Sequence, residues 1–600
     1  MNAVSAANGT WLVAAAAAVA VGCPTGDGAR RAERPRTPVP IAPKNGRATG
    51  CPHAADGRAA RPRFAWSWVD RARRAVRYDL QVDDDCEPGR MQTCSFPSPE
   101  IDARGLVAAQ FEPDAPLPIA DRPPVGRRYY WRVRACAGGV CSAWSRVRYA
   151  DVARCAGDFD GDGYSDVAVG APLVDAGGVD RGSAFVYYGA AGGIRRDRVT
   201  RIDDPARGDG SVFGVAVAVA GDVDADGFAD LIVGAAGTRE HRGFAYVFRG
   251  GPDGVAHVPS ATIRDPDGQL GDWFGAAVAG AGDVDGDGYA DVLVGASGTD
   301  RDGIDWGAAH LLYGSAEGIV NSRRLRIVAP QPTDYDHFGY ALAPAGDVNG
   351  DGYADVAIGS PGIDLAGMYT GTDRGAVYVF HGAPDGLSQV PAARLEAPVP
   401  LDYDRFGFAI AGAGDVDADG FDDVLVGAPG IDSPHPDGGV AYLFVGSAGG
   451  AIATPRAVLE DPRIEVFDRF GTSVAGAGDV DADGFDDVVI GASAPDRGRG
   501  LVFRGGPEGI DPIPSAVLRD PLGPGYNHFA DAVAGAGDVD ADGFDDVIIG
   551  ASGSDNGGVY RGSVVLYPGT RNGVDPHRRL RLDDPDRGEH DHFGHVVAGR

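Results

Sequence analysis

A nine-residue motif recurs seven times along this chain and limits its fold more than any other feature. Each copy reads D-x-[DN]-x-D-G-[FY]-x-D, and the copies begin at Asp158, Asp222, Asp283, Asp347, Asp415, Asp479 and Asp538. The intervals between consecutive copies are 64, 61, 64, 68, 64 and 59 residues. Repetition at a nearly fixed period decides the architecture, because each copy marks one structural unit of an array.

The chemistry of the motif indicates a divalent cation site in every unit. Carboxylates at alternate positions around a turn glycine suit a hard cation that takes six to eight oxygen ligands. In the third copy we assign side-chain oxygens to Asp283, Asp285, Asp287 and Asp291, and a backbone carbonyl to Tyr289. Gly288 is expected to adopt the left-handed conformation that folds the loop around the ion. Ca²⁺ is favoured over Mg²⁺, which requires a tighter octahedron with several waters.

The same assignment in all seven copies predicts up to seven structural Ca²⁺ ions. The predicted ligands are Asp158, Asp160, Asp162, Tyr164 and Asp166; Asp222, Asp224, Asp226, Phe228 and Asp230; Asp283, Asp285, Asp287, Tyr289 and Asp291; Asp347, Asn349, Asp351, Tyr353 and Asp355; Asp415, Asp417, Asp419, Phe421 and Asp423; Asp479, Asp481, Asp483, Phe485 and Asp487; and Asp538, Asp540, Asp542, Phe544 and Asp546. Asn349 removes one charge from the fourth copy, so that site is expected to be the weakest. The aromatic ring at position seven is expected to pack into its own unit.

A helical calcium loop is the alternative for a sequence that opens D-x-D-x-D-G. An EF-hand needs a glutamate at the twelfth position and a helix on each side. Here the twelfth positions are Val169, Val233, Val294, Ile358, Val426, Ile490 and Ile549, and the flanking segments have strand character. The helical interpretation therefore fails, and the loop is expected to close at its ninth residue.

The overall charge argues against a nucleic-acid partner. The chain of 600 residues has a formal net charge of −32, and the repeated aspartates supply much of it. Such a surface repels phosphate backbones. The hydrophobic content of 44% argues against disorder.

The N-terminus has the features of an export signal. Residues 11–21 are apolar and too few to span a bilayer, and they end at Ala20-Val21-Gly22-Cys23. We expect residues 1–23 to be a signal peptide of the lipoprotein type, with simple cleavage as the alternative. The mature protein is then secreted or held at the cell surface, for example in an outer membrane, and a lipidated Cys23 is its expected membrane attachment.

Six further cysteines are confined to the segment before the repeats. Residues 24–60 are interpreted as a linker, because they are rich in Arg, Pro, Gly and Ala without periodicity. An even number of cysteines in an exported segment favours three disulfides over a zinc site, which would want C-x-x-C pairs. Fifteen connectivities are open; proximity favours Cys86–Cys94 and Cys136–Cys141, which leaves Cys51–Cys155.

Residues 61–152 alternate between apolar and polar positions as a β-sandwich does. The clearest stretches are Phe64–Trp68, Val76–Val82 and Tyr129–Ala135. Tyr129–Ala135 followed by Ser142–Ser145 resembles the last two strands of a fibronectin type III domain. An unrelated small β-domain is the alternative.

Each repeat unit contains four short apolar segments punctuated by Gly, Pro and Asp. In the third unit these begin at Phe274, Val292, Gly307 and Arg324. None has the period of an amphipathic helix over three turns, so the unit is predicted to be a four-stranded meander. Radial repetition of such sheets is the way a β-propeller protects its edges.

Three motifs in fixed order resemble FG-GAP repeats, which form the blades of integrin α-chain propellers. Phe-Gly stands at 213–214, 274–275, 338–339, 406–407, 470–471 and 593–594, with Phe529-Ala530 as a departure. A Gly-Ala-Pro-like tripeptide follows each Asp motif and begins at Gly170, Gly234, Gly295, Gly359, Gly427, Gly491 and Gly550. The resemblance covers about residues 155–600.

The two ends of the array complement each other. The first unit lacks a Phe-Gly strand, and the last segment, His592–Arg600, is a Phe-Gly strand without an Asp motif. We therefore predict an all-β chain, with a small disulfide-bonded sandwich followed over residues 153–600 by a seven-bladed propeller of four-stranded blades. In this prediction the C-terminal strand completes blade one; truncation of a longer array is the alternative.

The resemblance also implies a function. In integrin-like propellers the ions stiffen the strand-one to strand-two hairpin, on the face opposite the ligand. We therefore expect a monomeric, non-enzymatic adhesion or ligand-binding protein whose partner is an extracellular protein or polysaccharide. By analogy, the binding face includes the loops Gly362–Arg374 and Ile431–Gly438. A secreted hydrolase or lyase acting on polysaccharide and a purely structural spacer are the alternatives.

Overall fold

The computed structural model describes most of the chain after the N-terminal segment. The described residues are 35–44, 61–67, 76–120, 123–153, 157–237, 243–266, 268–300, 304–363, 373–433, 435–463, 465–494, 498–523, 527–554, 560–586 and 588–599. Within these ranges the chain is all β apart from a 3-10 turn at Met91–Thr93. No helix in this part of the chain has the length and apolarity needed to cross a membrane.

Two small sheets form the N-terminal module, which comprises the described residues up to 153. The eight strands are β1 (Val39–Ala42), β2 (Phe64–Ser67), β3 (Arg77–Asp83), β4 (Ile101–Leu106), β5 (Gln110–Phe111), β6 (Arg127–Ala137), β7 (Val140–Cys141) and β8 (Arg148–Val152). One sheet has the order β1-β2-β5, and the other has the order β4-β3-β6-β7 with β8 also paired to β6. Strand β1 lies within the stretch expected to be a linker, so the module starts earlier in the chain than we expected.

Aromatic side chains join the two sheets of the module into a sandwich. The rings of Phe64 and Trp131 meet edge to face with their centroids 5.3 Å apart, and Trp66 and Tyr78 do the same at 5.3 Å. Such pairs add stabilisation beyond the area they bury. The predicted disulfide-bonded sandwich is confirmed, and the likeness to a fibronectin type III domain stays a prediction.

Two of the three predicted disulfides are confirmed. Cys86 is bonded to Cys94, and Cys136 is bonded to Cys141 on the hairpin of β6 and β7. The predicted partners Cys51 and Cys155 lie outside the described residues, as do the signal peptide and Cys23.

The remaining strands form seven four-stranded antiparallel sheets, here called blades one to seven in chain order. Blade one contains β9 (Val167–Ala171), β10 (Ser183–Tyr187) and β11 (Val199–Asp203). The others are β12 (Ala216–Gly221), β13 (Asp230–Ala235), β14 (Phe244–Phe248) and β15 (Ala261–Arg264); β16 (Val278–Gly282), β17 (Asp291–Ala296), β18 (Ala308–Leu312) and β19 (Arg324–Ile327); β20 (Leu342–Gly346), β21 (Asp355–Ser360), β22 (Ala376–Phe380) and β23 (Ala393–Leu395); β24 (Ala409–Gly414), β25 (Asp423–Ala428), β26 (Val440–Phe444) and β27 (Ala457–Leu459); β28 (Phe470–Gly478), β29 (Asp487–Ala492), β30 (Arg499–Phe503) and β31 (Ala516–Arg519); and β32 (Phe529–Gly537), β33 (Asp546–Ala551), β34 (Ser563–Tyr567) and β35 (Leu580–Asp583).

The last strand of the chain completes blade one. Strand β36 (Val596–Ala598) pairs antiparallel with β9, with Val596 opposite Gly170 and Ala598 opposite Ala168. The first strands of successive blades contact each other in order, and β36 contacts both β32 and β12. The sheets therefore form a closed β-propeller ring, and the predicted closure by the C-terminal strand is observed.

The Phe-Gly and Gly-Ala-Pro-like motifs are packing devices between blades. The phenylalanines of the Phe-Gly motifs are fully buried, and Phe213 belongs to one core cluster with Ala184 and Val186 of blade one and Tyr246 and Phe248 of blade two. A Cβ atom on Gly234 would lie 1.9 Å from the carbonyl oxygen of Gly275 in the next blade. The tripeptide therefore needs glycine because two backbones from neighbouring blades touch there.

Candidate metal centre

The seven Asp motifs occupy equivalent places: in blades two to seven the hairpin between the first and second strands, and in blade one the segment that leads into β9, which pairs with β36. We call them Asp loops one to seven and number their residues one to nine. In blades two to seven the first strand has a register shift at a glycine before the loop, as at Gly282, where φ is +73°. Such bulges turn a strand and redirect the residues that follow it. All seven loops therefore lie at one end of the propeller.

The aspartate side chain at position one holds the loop together by accepting a hydrogen bond from the loop's backbone. In the third loop Asp283 Oδ2 accepts the N–H of Gly288 at 3.0 Å, and the same bond occurs in the other six loops. Gly288 has a φ of +95°, and the position-six glycines of the other loops lie between +95° and +102°. The predicted positive φ of this glycine is confirmed.

The buried aspartate at position nine connects the Asp loop to the residue that follows the third strand through two hydrogen bonds. One oxygen of Asp291 accepts the N–H of Val284 at 3.0 Å, and the other accepts the N–H of Gly314 at 2.8 Å. The six equivalent aspartates make the same two bonds. Each carboxylate oxygen has further lone-pair capacity, so this residue can brace the loop and still face a cation.

The carboxylates of a loop converge on one point. Ligand oxygens lie within 4.8 Å of one another in the sets Asp158, Asp160, Asp166; Asp222, Asp224, Asp230; and Asp283, Asp285, Asp287. At position three, the Oδ1 atoms of Asp224, Asp481 and Asp540 are buried and have no hydrogen-bond partner among the described residues. Buried acceptors without donors are costly, so a cation bound in the loop would satisfy them.

Electrostatics in these loops favours a bound positive charge. Burial, reinforced by neighbouring carboxylates, raises the pKa of Asp158 and of Asp222 to about 7. The same causes raise the pKa of Asp487 and of Asp546, both at position nine, to about 8. A divalent cation would offset the repulsion that causes these shifts. The residues present therefore fit a hard divalent cation held by carboxylate oxygens.

The fourth loop replaces one carboxylate by an amide. Asn349 Nδ2 donates to Asp351 Oδ2 at 3.0 Å, and its Oδ1 accepts the N–H of Asp351 at 2.8 Å. The amide therefore holds Asp351 in place as an aspartate could not. Weaker cation binding by this loop stays a prediction.

The aromatic residues at position seven pack differently from our expectation. A Cβ atom on Gly286 of loop three would lie 2.7 Å from the ring of Tyr353, and one on Gly350 of loop four would lie 2.8 Å from the ring of Phe421. These rings therefore cover position four of the preceding loop instead of packing into their own blade. Tyr353 and Phe421 are buried, whereas the other five are half-buried.

Hydrogen bonds join the seven loops into a ring. The N–H at position eight donates to the carbonyl oxygen at position one of the preceding loop, as from Ala290 to Asp222 at 3.0 Å. The same bond links every neighbouring pair of loops, and the bond from Ser165 to Asp538 closes the ring between blades seven and one. A change in one loop therefore acts directly on the backbone of the next.

Position eight adds functional residues that the sequence interpretation missed. Asp422, Asp486 and Asp545 stand there, and each accepts the N–H of position one of the preceding loop, at 2.7, 3.0 and 2.9 Å respectively. Burial raises the pKa of Asp422 to about 8. The signal was visible in the sequence, since three loops read F-D-D where the other four read Y-S-D, F-A-D or Y-A-D, but the partner of this aspartate lies in another blade.

The N-terminal module sits on the end of the propeller that carries the Asp loops. The N–H of Val125 donates to the carbonyl oxygen of Ala225 in loop two at 2.9 Å, and Tyr149 donates to Asp347 in loop four at 3.1 Å. Lys44 pairs with Asp486 in loop six at 2.8 Å, and both side chains are buried. The module therefore covers this mouth of the central channel, a cavity of about 610 Å³ lined by the small residues of the first strands.

Exposed aromatic residues lie at the opposite end. The connections between blades enter there, because each first strand runs from them toward its Asp loop. Trp273, Tyr403 and Phe467 in these connections are 45%, 57% and 52% exposed and have positive φ values of 55°, 69° and 63°. Of the two loops expected at this face, Ile431–Gly438 is described except for residue 434, and residues 364–372 of the other lie outside the described ranges.

Comparison with known proteins identifies the repeats. Residues 155–187, 213–248, 274–307, 338–380, 470–503 and 529–567 match the family model of the FG-GAP repeat. The chain is 32% identical over 257 residues to integrin alpha-5 of Xenopus laevis. This alignment covers 40% of this chain and 22% of the integrin. It is 29% identical over 343 residues to integrin alpha-V of Gallus gallus, and this alignment covers 51% of this chain and 31% of the integrin. The chain thus spans less than a third of the length of these relatives.

Two solved structures illustrate a distant likeness. The Dos1 propeller has a TM-score of 0.32 at 14% identity and covers 58% of this chain and 69% of its own. The rhamnogalacturonan lyase YesX has a TM-score of 0.27 at 13% identity, and the match covers 90% of this chain and 66% of the lyase.

Proposed function

Because the chain is an FG-GAP repeat protein with a β-propeller fold, we propose that it is an extracellular ligand-binding protein. The Asp loops hold structural calcium, and the opposite end of the propeller binds an extracellular protein or polysaccharide. The chain is exported and acts as a monomer, either secreted or held at the cell surface through a lipidated Cys23.

The position of the N-terminal module is the observation that carries this proposal. It covers the mouth of the channel at the Asp-loop end, with buried contacts at Lys44 and Tyr149. The hydrogen bonds and ion pairs given above between the described module residues and the propeller all lie at the Asp-loop end. A ligand therefore has access to the end where the blade connections lie.

The surface of that open end supports a binding role. Tyr340 is 42% exposed, and its ring lies 5.2 Å from that of Phe408 in the neighbouring blade. Exposed aromatic groups of this kind are enriched in binding sites, because they bury large areas at a low entropic cost.

The backbone at this end is fixed in an unfavourable conformation. Tyr403 and Phe467 have positive φ values, which are rare for bulky residues and cluster at functional sites. The buried carboxylates of Asp404 and Asp468 hold the two turns by accepting the N–H groups of Leu401 and Glu465, each at 2.6 Å. Aromatic side chains in rigid turns are suited to bind without further ordering.

A binding assay tests the proposal. The purified chain in about 1 mM calcium, a concentration suited to extracellular sites, is passed over immobilised polysaccharides and purified matrix proteins. Any ligand bound by the wild type should lose about 30-fold or more in affinity in the double variant Tyr403→Ala, Phe467→Ala, as removal of central aromatic contacts does. Val107→Ala, on an exposed residue of the N-terminal module, is the matched control and should bind like the wild type.

The same assay separates the alternatives. Equal affinity of the double variant and the wild type would contradict the assigned face. Shortening of a polysaccharide during the incubation would support an enzyme instead, and a chain that binds nothing in the panel would support a structural spacer.

A further inference from the structure

Arg148 of the N-terminal module lies inside the fifth Asp loop. Its Nη1 is 2.8 Å from Asp415 Oδ2, and its Nη2 donates to the carbonyl oxygen of Ala418 at 2.7 Å. The side chains of Arg148 and Asp415 are only 4% and 2% exposed. A buried cation from one module thus contacts position one and the backbone of position four in a loop of the other.

We propose that the guanidinium of Arg148 takes the place of a metal ion in the fifth loop. A docked N-terminal module and a calcium ion in that loop then exclude each other. The inference rests on the proposed calcium binding by the other Asp loops, and its test distinguishes the two.

The hydrogen bonds of Asp415 support this assignment. Oδ2 accepts both Arg148 and the N–H of Gly420 at 3.0 Å, and Oδ1 accepts the N–H of Asp419 at 2.9 Å. A carboxylate oxygen offers about two lone pairs, so Oδ2 has none left for a metal ion. The fixed positive charge beside it would also repel a divalent cation.

The loop is shaped around the arginine. A Cβ atom on Gly420 would lie 2.8 Å from Cζ of Arg148, so the guanidinium packs directly on this glycine. Burial raises the pKa of Asp419 to about 6, and Arg148 is among the charges that lower it. Arg148 is therefore close enough to act on a second predicted ligand of the same loop.

Arginines also approach other Asp loops, but in a different way. Arg249 and Arg504 pair with Asp224 and Asp481 at position three. Both arginines belong to the propeller and are more than 30% exposed, and each of those aspartates keeps a buried Oδ1 atom without a hydrogen-bond partner. An exposed side chain can swing away into solvent at little cost when a metal ion binds, whereas buried Arg148 is fixed by its module.

The fourth loop provides an internal comparison. Tyr149 donates to Asp347 Oδ2 at the position that Arg148 occupies in loop five. Asp347 Oδ2 also accepts the N–H of Gly352 at 2.8 Å, but a neutral hydroxyl brings no positive charge and can turn its proton away from the carboxylate, which would free a lone pair for a cation in the fourth loop. The exclusion therefore applies to loop five and not to every loop beneath the module.

Further contacts keep the arginine in place. The guanidinium of Arg146 lies 4.2 Å from the ring centre of Phe421, at position seven of the same loop. Arg128 donates to the carbonyl oxygen of Gly352 in loop four and pairs with Asp151 at 2.8 Å. Withdrawal of Arg148 would thus require these contacts to open as well.

The number of bound calcium ions tests the proposal. Native mass spectrometry of the full chain, with equilibrium dialysis as a second measurement, gives the count for each variant at saturating calcium. We expect Arg148→Met to bind one calcium ion more than the wild type. In the wild-type background Asp415→Asn should leave the count unchanged, and added to Arg148→Met it should abolish the gain.

Two controls accompany the count. Arg323→Met removes a partly exposed arginine beside Asp285 in loop three and should not change the count. Asp483→Asn, at position five of loop six, should lower the count by one and shows that the assay detects single sites. Circular dichroism verifies that each variant is folded.

The outcomes separate this proposal from calcium binding in general. Equal counts for Arg148→Met and the wild type, or a lower count for Asp415→Asn alone, would overturn the replacement of the ion by Arg148. A wild type that binds no calcium at all would overturn the calcium proposal as well.

Discussion

Position four of the Asp loops illustrates how a single residue determines local strain. The backbone there has a positive φ in all seven loops, from 51° to 73°. Three loops have glycine, but the others have alanine, at Ala225, Ala418, Ala482 and Ala541. For an L-residue with a Cβ atom this conformation costs about 1–2 kcal/mol, so four of the loops store a small strain.

Replacement of one such alanine should stabilise the protein. We expect Ala482→Gly to raise the free energy of unfolding by roughly 0.5–1 kcal/mol, because relief of the strain exceeds the entropy that glycine loses on folding. Urea denaturation of both proteins measures the difference. Ala475→Gly, within strand β28 where alanine needs no positive φ, should instead destabilise by a similar amount; stabilisation by both variants would refute the explanation.

The carboxylate at position nine combines two roles. Asp291 and its equivalents brace the hairpin with both oxygens and remain within reach of a cation. The sequence predicted the ligand role from spacing. It could not predict the bracing role, because the donor Gly314 follows the third strand and its proximity depends on the folded sheet.

At the scale of the strand, blade three departs from its neighbours at His310. The third residue of the corresponding strand is Phe185, Tyr246, Tyr378, Tyr442, Leu501 or Val565 in the other blades. His310 is 1% exposed, and its ring lies 5.5 Å from that of Phe274. Burial, assisted by Arg324 and Arg326, lowers the pKa of His310 to about 4.

This histidine should make the fold sensitive to acid. The unfolded imidazole takes up a proton as the pH falls through about 6.5, whereas the folded one stays neutral down to about pH 4. Its contribution is therefore complete above pH 6.5 and is lost as the pH falls, by about 2 kcal/mol between pH 7 and pH 5. His310→Phe should remove that part of the loss in urea denaturation at the two pH values.

A control separates titration from packing. Val565→Ile changes the equivalent position of blade seven without a titratable group, so its effect should be equal at pH 7 and pH 5. If His310→Phe likewise shifts both values equally, His310 does not titrate between them.

At the scale of the whole molecule, the bonds between Asp loops link all blades. Each loop donates to the one before it, and the bond from Ser165 to Asp538 leaves no free end. Cations bound in separate loops would therefore stiffen one continuous ring, and their removal should destabilise all blades in one cooperative transition.

Removal of calcium should lower the melting temperature strongly. A ligand at 100 times its Kd adds about 2.7 kcal/mol per site, so several sites together should shift the midpoint by more than about 10 °C. Calorimetry with calcium and with excess EDTA measures the shift, and EDTA saturated with calcium serves as the control. Coincident curves would mean that the loops are empty or do not contribute.

The parts of this architecture that repeat could be predicted, and the parts that occur once could not. The period and the Phe-Gly motif indicated the sheets, and the missing first strand of blade one indicated where β36 pairs. The docking of the N-terminal module depends on single residues such as Lys44, Arg148 and Tyr149, which belong to no repeat and meet partners hundreds of residues away. Their contacts exist only after the module and the propeller have folded and docked, so the sequence pattern could not predict them.

The pairing of β36 with β9 also governs the order of events during biogenesis. Val596 finds its partner Gly170 only after more than four hundred intervening residues have been made, and such distant pairings form slowly. Until then β9 has an unpaired edge and the ring of blades remains open. Export of the chain, as proposed above, would therefore place this last pairing after translocation, because the ring can close only when residues 596–598 reach β9.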